Sequence, residues 1–147
     1  MGELSKEIWI DAPPETVYRY LVEPELTVRW FGEESWNEPE VGGLYRVSVR
    51  GHLVRGDFVE LEPGRRVVHT WGWEGPDQIH PPGTTTVEWD LEAVDGGTRV
   101  RLRHSGLTEQ GVTQHGEGWD QFMPPPPSRA RARYDPSPRR ASRRPRR

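Results

Sequence analysis

The sequence contains no cysteine among its 147 residues, which excludes a disulfide, a thiolate nucleophile and a cysteine-based metal site. It has no apolar run approaching the ~18 to 20 residues of a membrane span, and its first residues lack the apolar stretch of a signal peptide. We therefore expect a cytoplasmic protein. Metal-binding histidine spacings, Gly-x-Ser-x-Gly elbows and phosphate-binding glycine loops are also missing, so we expect no metal and no cofactor.

Charge is distributed unevenly along the chain. The whole sequence has 20 basic and 23 acidic residues, a formal net charge of -3. The 24 residues after Met123 contain 9 arginines, 7 prolines and a single acid, which gives +8 there and -11 over residues 1–123. All 16 glycines and all 7 tryptophans precede that boundary. This composition predicts one folded domain over residues 1–123 and a disordered, basic, Pro/Arg-rich tail over residues 124–147.

The tail has three interpretations. Its arginines would attract nucleic acid weakly, although the acidic body disfavours a phosphate backbone. It would alternatively lie on the acidic body, through an attraction that salt screens over ~8 Å. The third interpretation is a shifted reading frame, because the Pro/Arg-rich segment begins where the last predicted helix should continue. The other two frames of the gene after Met123 test that interpretation.

Hydrophobic periodicity predicts a strand, two short helices, five antiparallel strands and a final helix. Pro13-Pro14-Glu15 and Pro24 begin the two short helices, since the first helical turn leaves amide hydrogens unpaired anyway. The five strands are predicted at Leu44–Arg50, Leu53–Leu61, Arg65–Trp73, Thr85–Val94 and Thr98–Ser105. The final helix has Thr108 as its cap and one apolar stripe of Val112, His115, Trp119 and Phe122. The order predicts an α+β architecture whose sheet covers one helix.

Short sequence words spread over residues 5–122 carry a resemblance to a known family. They include Ile10-Asp11-Ala12-Pro13, Arg29-Trp30-Phe31-Gly32, Val41-Gly42-Gly43, Thr70-Trp71, Gly97-Thr98-Arg99-Val100, His104-Ser105-Gly106-Leu107 and Gly118-Trp119. In this order they resemble the START-like (SRPBCC) superfamily and, within it, the activator of heat-shock protein 90 ATPase homologue-like family. The resemblance implies a helix-grip fold, in which a curved antiparallel sheet wraps around a C-terminal helix and two short helices follow the first strand.

The same resemblance implies an internal cavity between the sheet and the C-terminal helix, occupied by a lipid, a polyketide or another hydrophobic molecule. Six side chains are expected to line it: Trp71, Trp73, Trp89, His104, Trp119 and Phe122. Aromatic side chains give such cavities their shape, although they also fill ordinary cores. We expect a non-catalytic domain, monomeric or homodimeric, that binds a small hydrophobic ligand through these residues.

Two other functions compete with this hypothesis. The family name implies a co-chaperone-like module that contacts a chaperone ATPase. Some START-like relatives are polyketide cyclases or dehydratases, and His104 with Tyr45 would then supply the polar groups of the reaction.

Overall fold

A computed structural model describes residues 2–123 as a seven-stranded antiparallel sheet with three helices. The strands are β1 (Gly2–Ile10), β2 (Glu34–Ser35), β3 (Leu44–Val49), β4 (His52–Glu62), β5 (Arg66–Trp71), β6 (Thr85–Val94) and β7 (Gly97–Leu107). The helices are α1 (Pro14–Val22), α2 (Pro24–Thr27) and α3 (Glu109–Phe122). The predicted tail, residues 124–147, lies outside the described residues.

The sheet has the strand order β1-β7-β6-β5-β4-β3-β2. Strands β2 to β7 form a meander of sequential neighbours, and β1 closes the far side by pairing with the last strand. The predicted α+β helix-grip fold is confirmed. The two-residue strand β2 is an addition, because a segment so short carries no periodicity.

Opposite charges line the outer face of β6 and β7. Glu88 lies opposite Arg103, and their side chains pair at 2.6 Å. Arg99 reaches Glu92 at 3.0 Å. Such cross-strand pairs contribute roughly 0.2 to 1 kcal/mol each, so they support the register of two strands whose inner face is apolar.

Proline begins both short helices. Pro13 is the N-cap of α1 in an extended conformation, and Pro14 is its first helical residue. The helix α2 is only 4 residues long, and Trp30 lies in the turn that follows it. Trp30 instead donates its indole hydrogen to the Tyr20 carbonyl at 2.9 Å, which fixes the turn against α1.

Helix α3 lies across the inner face of the sheet. Thr108 caps it as predicted, and its hydroxyl accepts a hydrogen bond from the Gly111 amide at 3.0 Å. His115 and Trp119 are buried on its inner side, and Lys6 of β1 pairs with Asp120 at 2.6 Å. None of the helices in residues 2–123 is long and apolar enough to cross a membrane.

Candidate ligand-binding cavity

A cavity of about 480 Å³ opens between α3, the tip of the β3–β4 hairpin and the β5–β6 loop. We call its buried lining the inner wall; the main members are Phe31, Trp71, His80, His115 and Trp119. The exposed lining is called the rim, and it includes Arg50, His52, Asp77, Ile79, Gln114 and Gln121. Cavities of roughly 300 to 1,000 Å³ with apolar walls and a few polar groups are typical small-molecule sites.

Aromatic rings make up most of the inner wall. Phe31 stacks on Trp119 with ring centroids 5.6 Å apart and meets Phe122 edge-on at 4.8 Å. Trp119 also lies 5.2 Å from Trp71, and Trp71 lies 5.7 Å from Trp73. These offset and edge-to-face arrangements are the favoured ones for aromatic pairs. The wall is therefore pre-formed rather than collapsed.

Four of the six residues predicted from the sequence line this cavity: Trp71, Trp73, Trp119 and Phe122. Trp89 and His104 lie on the inner face of the sheet as expected, but they are buried behind the wall and are not among the lining residues. Alternation along a strand identifies the face of each side chain. It does not indicate which inward-facing side chains the helix will cover. Here α3 covers these two positions and separates them from the cavity.

Three histidines each accept a hydrogen bond from a tryptophan indole. Trp73 donates to Nε2 of His115 at 3.0 Å, Trp89 donates to Nε2 of His69 at 3.1 Å, and Trp119 donates to Nδ1 of His104 at 3.1 Å. We call these the three Trp–His pairs. The pairs join the segment after β5 to α3, β5 to β6, and α3 to β7 through buried or partly buried polar contacts.

The partners of each ring determine its tautomer. Nδ1 of His115 lies 2.9 Å from the Gly111 carbonyl and Nδ1 of His69 lies 3.0 Å from the Thr70 carbonyl, so both rings carry their proton there. His104 carries its proton on Nε2, which lies 2.9 Å from the Thr85 hydroxyl. A tryptophan can only donate, and a carbonyl can only accept. All three histidines are therefore neutral.

Burial explains why these rings stay neutral. It lowers the pKa of His69 to about 4. Burial, reinforced by the neighbouring His115, lowers the pKa of His104 to about 2. Burial also lowers the pKa of His115. A charged imidazolium would lose its hydration and its tryptophan donor at the same time.

His80 and His115 are wall residues that the sequence did not single out as ligand contacts. His80 follows Ile79 in the β5–β6 loop, and its Nε2 accepts the Thr108 amide hydrogen at 3.4 Å. An irregular loop has no periodicity that would place His80 beside the start of α3. His115 was predicted on the apolar stripe of the helix, which was the available signal for its inward position.

Trp71 does not take part in a Trp–His pair. Nε1 of Trp71 is buried and lacks a hydrogen-bond partner among residues 2–123. A buried donor without an acceptor costs about 1 to 3 kcal/mol. In the same described residues, no group of three histidine or carboxylate side chains is arranged to hold a metal ion.

Comparison with known families gives one family match. The model of the activator of Hsp90 ATPase homolog 1-like protein family matches residues 11–124. No curated protein matches the chain significantly. The family match therefore identifies the family and the fold of the chain, but it does not define a ligand.

Solved structures agree with that match. An AHSA1-like protein of Rhizobium etli is 40% identical, with a TM-score of 0.65, over 83% of this chain and 77% of that chain. Protein MLL2253 of Mesorhizobium loti is 24% identical, with a TM-score of 0.72, over 82% of this chain and 90% of the other. The Aha1 dimer of Colwellia psychrerythraea is also 24% identical, with a TM-score of 0.71, over 84% and 91% of the two chains. The last two show the shared fold.

Proposed function

Because the chain belongs to the activator of Hsp90 ATPase homolog 1-like family, we propose that it uses the helix-grip fold to bind a small hydrophobic ligand between the sheet and α3. The ligand is an aromatic, polyketide-like or lipid molecule. Trp71, Trp73, Trp119 and Phe122 contact it, whereas Trp89 and His104 support the wall from behind. The domain acts by binding, and it performs no reaction on the ligand.

One observation carries this proposal: an open cavity of about 480 Å³ whose inner wall is built from stacked aromatic rings. A core that served packing alone would be filled, since protein interiors reach the density of organic crystals. The unpartnered indole hydrogen of Trp71 also supports it, because an acceptor on a ligand would remove the cost of leaving that donor unpaired.

Native mass spectrometry of the freshly expressed full chain tests the proposal directly. We expect a co-purified apolar molecule that is lost on denaturation. Titration of the emptied protein with a panel of hydrophobic compounds should quench tryptophan fluorescence, since tryptophans form the wall. An empty protein whose fluorescence ignores the whole panel would rule the proposal out.

A co-chaperone-like role is the second candidate, favoured by the description of the matching family. It would use the protein surface rather than the cavity. Stimulation of Hsp90 ATPase activity by the full chain tests it. A variant with a filled cavity would keep this stimulation, whereas it would lose ligand binding.

Catalysis of the cyclase or dehydratase type finds less support in the geometry. His104 uses both ring nitrogens in hydrogen bonds, to Trp119 and Thr85. Burial raises the pKa of the Tyr45 hydroxyl, and the ring stacks on His69 at 3.8 Å. Neither side chain lines the cavity. If His104→Ala abolished turnover of a bound ligand while leaving its binding measurable, the enzyme hypothesis would be preferred.

We also propose that residues 1–123 form the ligand-binding unit. Every lining side chain within the described part of the chain falls between Phe31 and Phe122. Expression of residues 1–123 should give a folded domain with the same ligand affinity as the full chain. A large difference between the two would assign a role to residues 124–147.

A further inference from the structure

Arg50 occupies an unusual position at the tip of the β3–β4 hairpin. Val49 pairs with His52, so Arg50 and Gly51 form a two-residue loop with φ angles of 53° and 83°. Two-residue loops with two positive φ angles favour Asn-Gly or Asp-Gly. Few residues other than glycine, asparagine and aspartate adopt a positive φ angle readily. The hairpin therefore holds an arginine where local conformation disfavours it, and backbone strain of this kind is concentrated at functional sites.

The side chain of Arg50 extends toward helix α3. Its guanidinium carbon lies 6.0 Å from the centre of the Phe122 ring, and both residues line the cavity. The cation consequently lies at the rim, above the aromatic inner wall. Gln114 and Gln121 of α3 also line the cavity and bring amide donors to the rim.

Arg50 also differs in its partners from most of the other cations. Within residues 2–123, Lys6 and eight arginines pair with carboxylates at 4.0 Å or less, but Arg50 forms no ion pair. Residues 1–123 contain 22 acidic residues, so carboxylates are abundant. Glu33 accepts a hydrogen bond from the backbone amide of Arg50 at 3.1 Å rather than from its side chain. The guanidinium donors are thus available to a ligand.

We propose that Arg50 binds the carboxylate of an amphipathic ligand whose apolar body lies against the inner wall. This inference rests on the proposed function and specifies its ligand class. A guanidinium matches a carboxylate with two parallel hydrogen bonds, which an amide of the same shape cannot reproduce. Among the lining residues within 2–123, Asp77 is the one carboxylate, and it lies on the β5–β6 loop. It disfavours an anion on its own side of the rim and directs the head group toward Arg50.

Two pairs of probes test the charge requirement by calorimetry on the full chain. 2-Naphthoate is compared with 2-naphthamide, and dodecanoate with dodecanamide, so that the body is constant and only the charge changes. We expect the acid of the preferred pair to bind about 10-fold more tightly than its amide. The preference should weaken in high salt, because the rim is exposed.

Three variants assign that preference to one side chain. Arg50→Asn removes the cation with a residue that suits the loop, and it should erase the preference for the acid while leaving amide binding unchanged. Arg50→Lys should keep part of the preference for the acid. Arg55→Gln removes a cation of β4 that does not line the cavity and should keep it fully. All proteins retain residues 124–147, so nonspecific attraction to the basic tail is common to all of them.

The possible outcomes distinguish failure of this inference from failure of the proposed function. If acid and amide bind equally and Arg50→Asn changes neither, the cavity binds ligands but the carboxylate assignment is wrong. If Arg50→Asn weakens acid and amide equally, Arg50 has a structural role and the inference fails. If no probe binds and native mass spectrometry finds an empty protein, the proposed function itself fails.

Discussion

The indole nitrogen of Trp119 lies 3.1 Å from Nδ1 of His104, and this hydrogen bond joins the C-terminal part of α3 to β7. His104 is fully buried and Trp119 is 3% exposed. The helix is therefore attached to the sheet by a directional contact as well as by packing, at the back of the cavity wall.

Removing that donor should loosen the helix. Trp119→Phe keeps an aromatic ring but leaves His104 without its donor, so we expect the free energy of unfolding to fall by about 2 to 4 kcal/mol, including the loss of packing. Urea unfolding followed by circular dichroism measures it. Trp36→Phe at a residue that is 39% exposed is the control, with an expected change of about 0.5 kcal/mol or less. Equal effects of the two changes would contradict this account.

Stability should fall as the pH drops below 6.5. The folded pKa values of His69 and His104 are about 4 and about 2, below the usual value of 6.5, so the unfolded chain binds more protons in this range. Stability rises with pH wherever the unfolded state binds more protons. Between pH 6.5 and 5.0 these two residues alone remove about 3 kcal/mol of unfolding free energy.

Urea unfolding at several pH values between 7.5 and 5.0 measures this dependence. His69→Gln supplies an acceptor that does not titrate, and it should reduce the slope by about one proton. A wild-type slope near zero over this interval would show that the buried rings are not held neutral.

Filling the cavity from the helix should abolish ligand binding. A Cβ atom added at Gly118 or at Gly116 meets no atom within 4 Å, but only Gly118 lines the cavity. We expect Gly118→Leu to lose binding and Gly116→Leu to keep it, while both gain roughly 0.8 kcal/mol of helix propensity. Fluorescence titration with the best ligand of the panel compares the two. Equal affinities would place the ligand elsewhere.

Substitution of Gly111 should have the opposite effect on stability from substitution of Gly116. A Cβ atom at Gly111 would clash with Nε2 of His80, whereas Gly116 faces open space. Gly111→Ala should therefore destabilise the protein, and Gly116→Ala should stabilise it by about 1 kcal/mol. Thermal unfolding of the two variants gives the sign directly, and a gain in both would show that His80 moves freely.

Relief of backbone strain at Arg50 should raise stability. Asparagine tolerates a positive φ angle better than arginine, so Arg50→Asn should gain about 0.5 to 1 kcal/mol. Gly51→Ala at φ 83° is the comparison and should lose stability. A loss in Arg50→Asn would mean that the side chain stabilises the free protein.

Periodic elements were predictable from the sequence because one rule acts on every residue in them. The alternation of Val87, Trp89 and Leu91 predicted β6 with both of its end residues, and Thr108 identified the start of α3. Strand β4 extends one residue beyond each predicted end, since main-chain pairing continues past the apolar pattern, whereas β5 ends at Trp71, two residues before its predicted end. The two-residue β2 is held by pairing with β3, which no local pattern reports.

The cavity was only partly predictable. Its aromatic wall follows from strand faces and the helix stripe, which is why Trp71, Trp73, Trp119 and Phe122 were identified. The rim depends on turn geometry, as with the positive φ angles of Arg50 and Asp77. The tryptophan–histidine partnerships depend on the position of α3 across the sheet, and residues such as Trp73 and His115 are 42 positions apart.

The three Trp–His pairs also form a set of spectroscopic markers, two at the cavity and one behind its wall. Each indole hydrogen donates to a ring nitrogen, so its proton resonance should appear apart from those of exposed tryptophans in a proton–nitrogen correlation spectrum. Trp73 and Trp119 line the cavity, whereas Trp89 lies behind it. An arriving ligand would move the first two resonances and leave the third, so a single labelled sample can report where binding occurs.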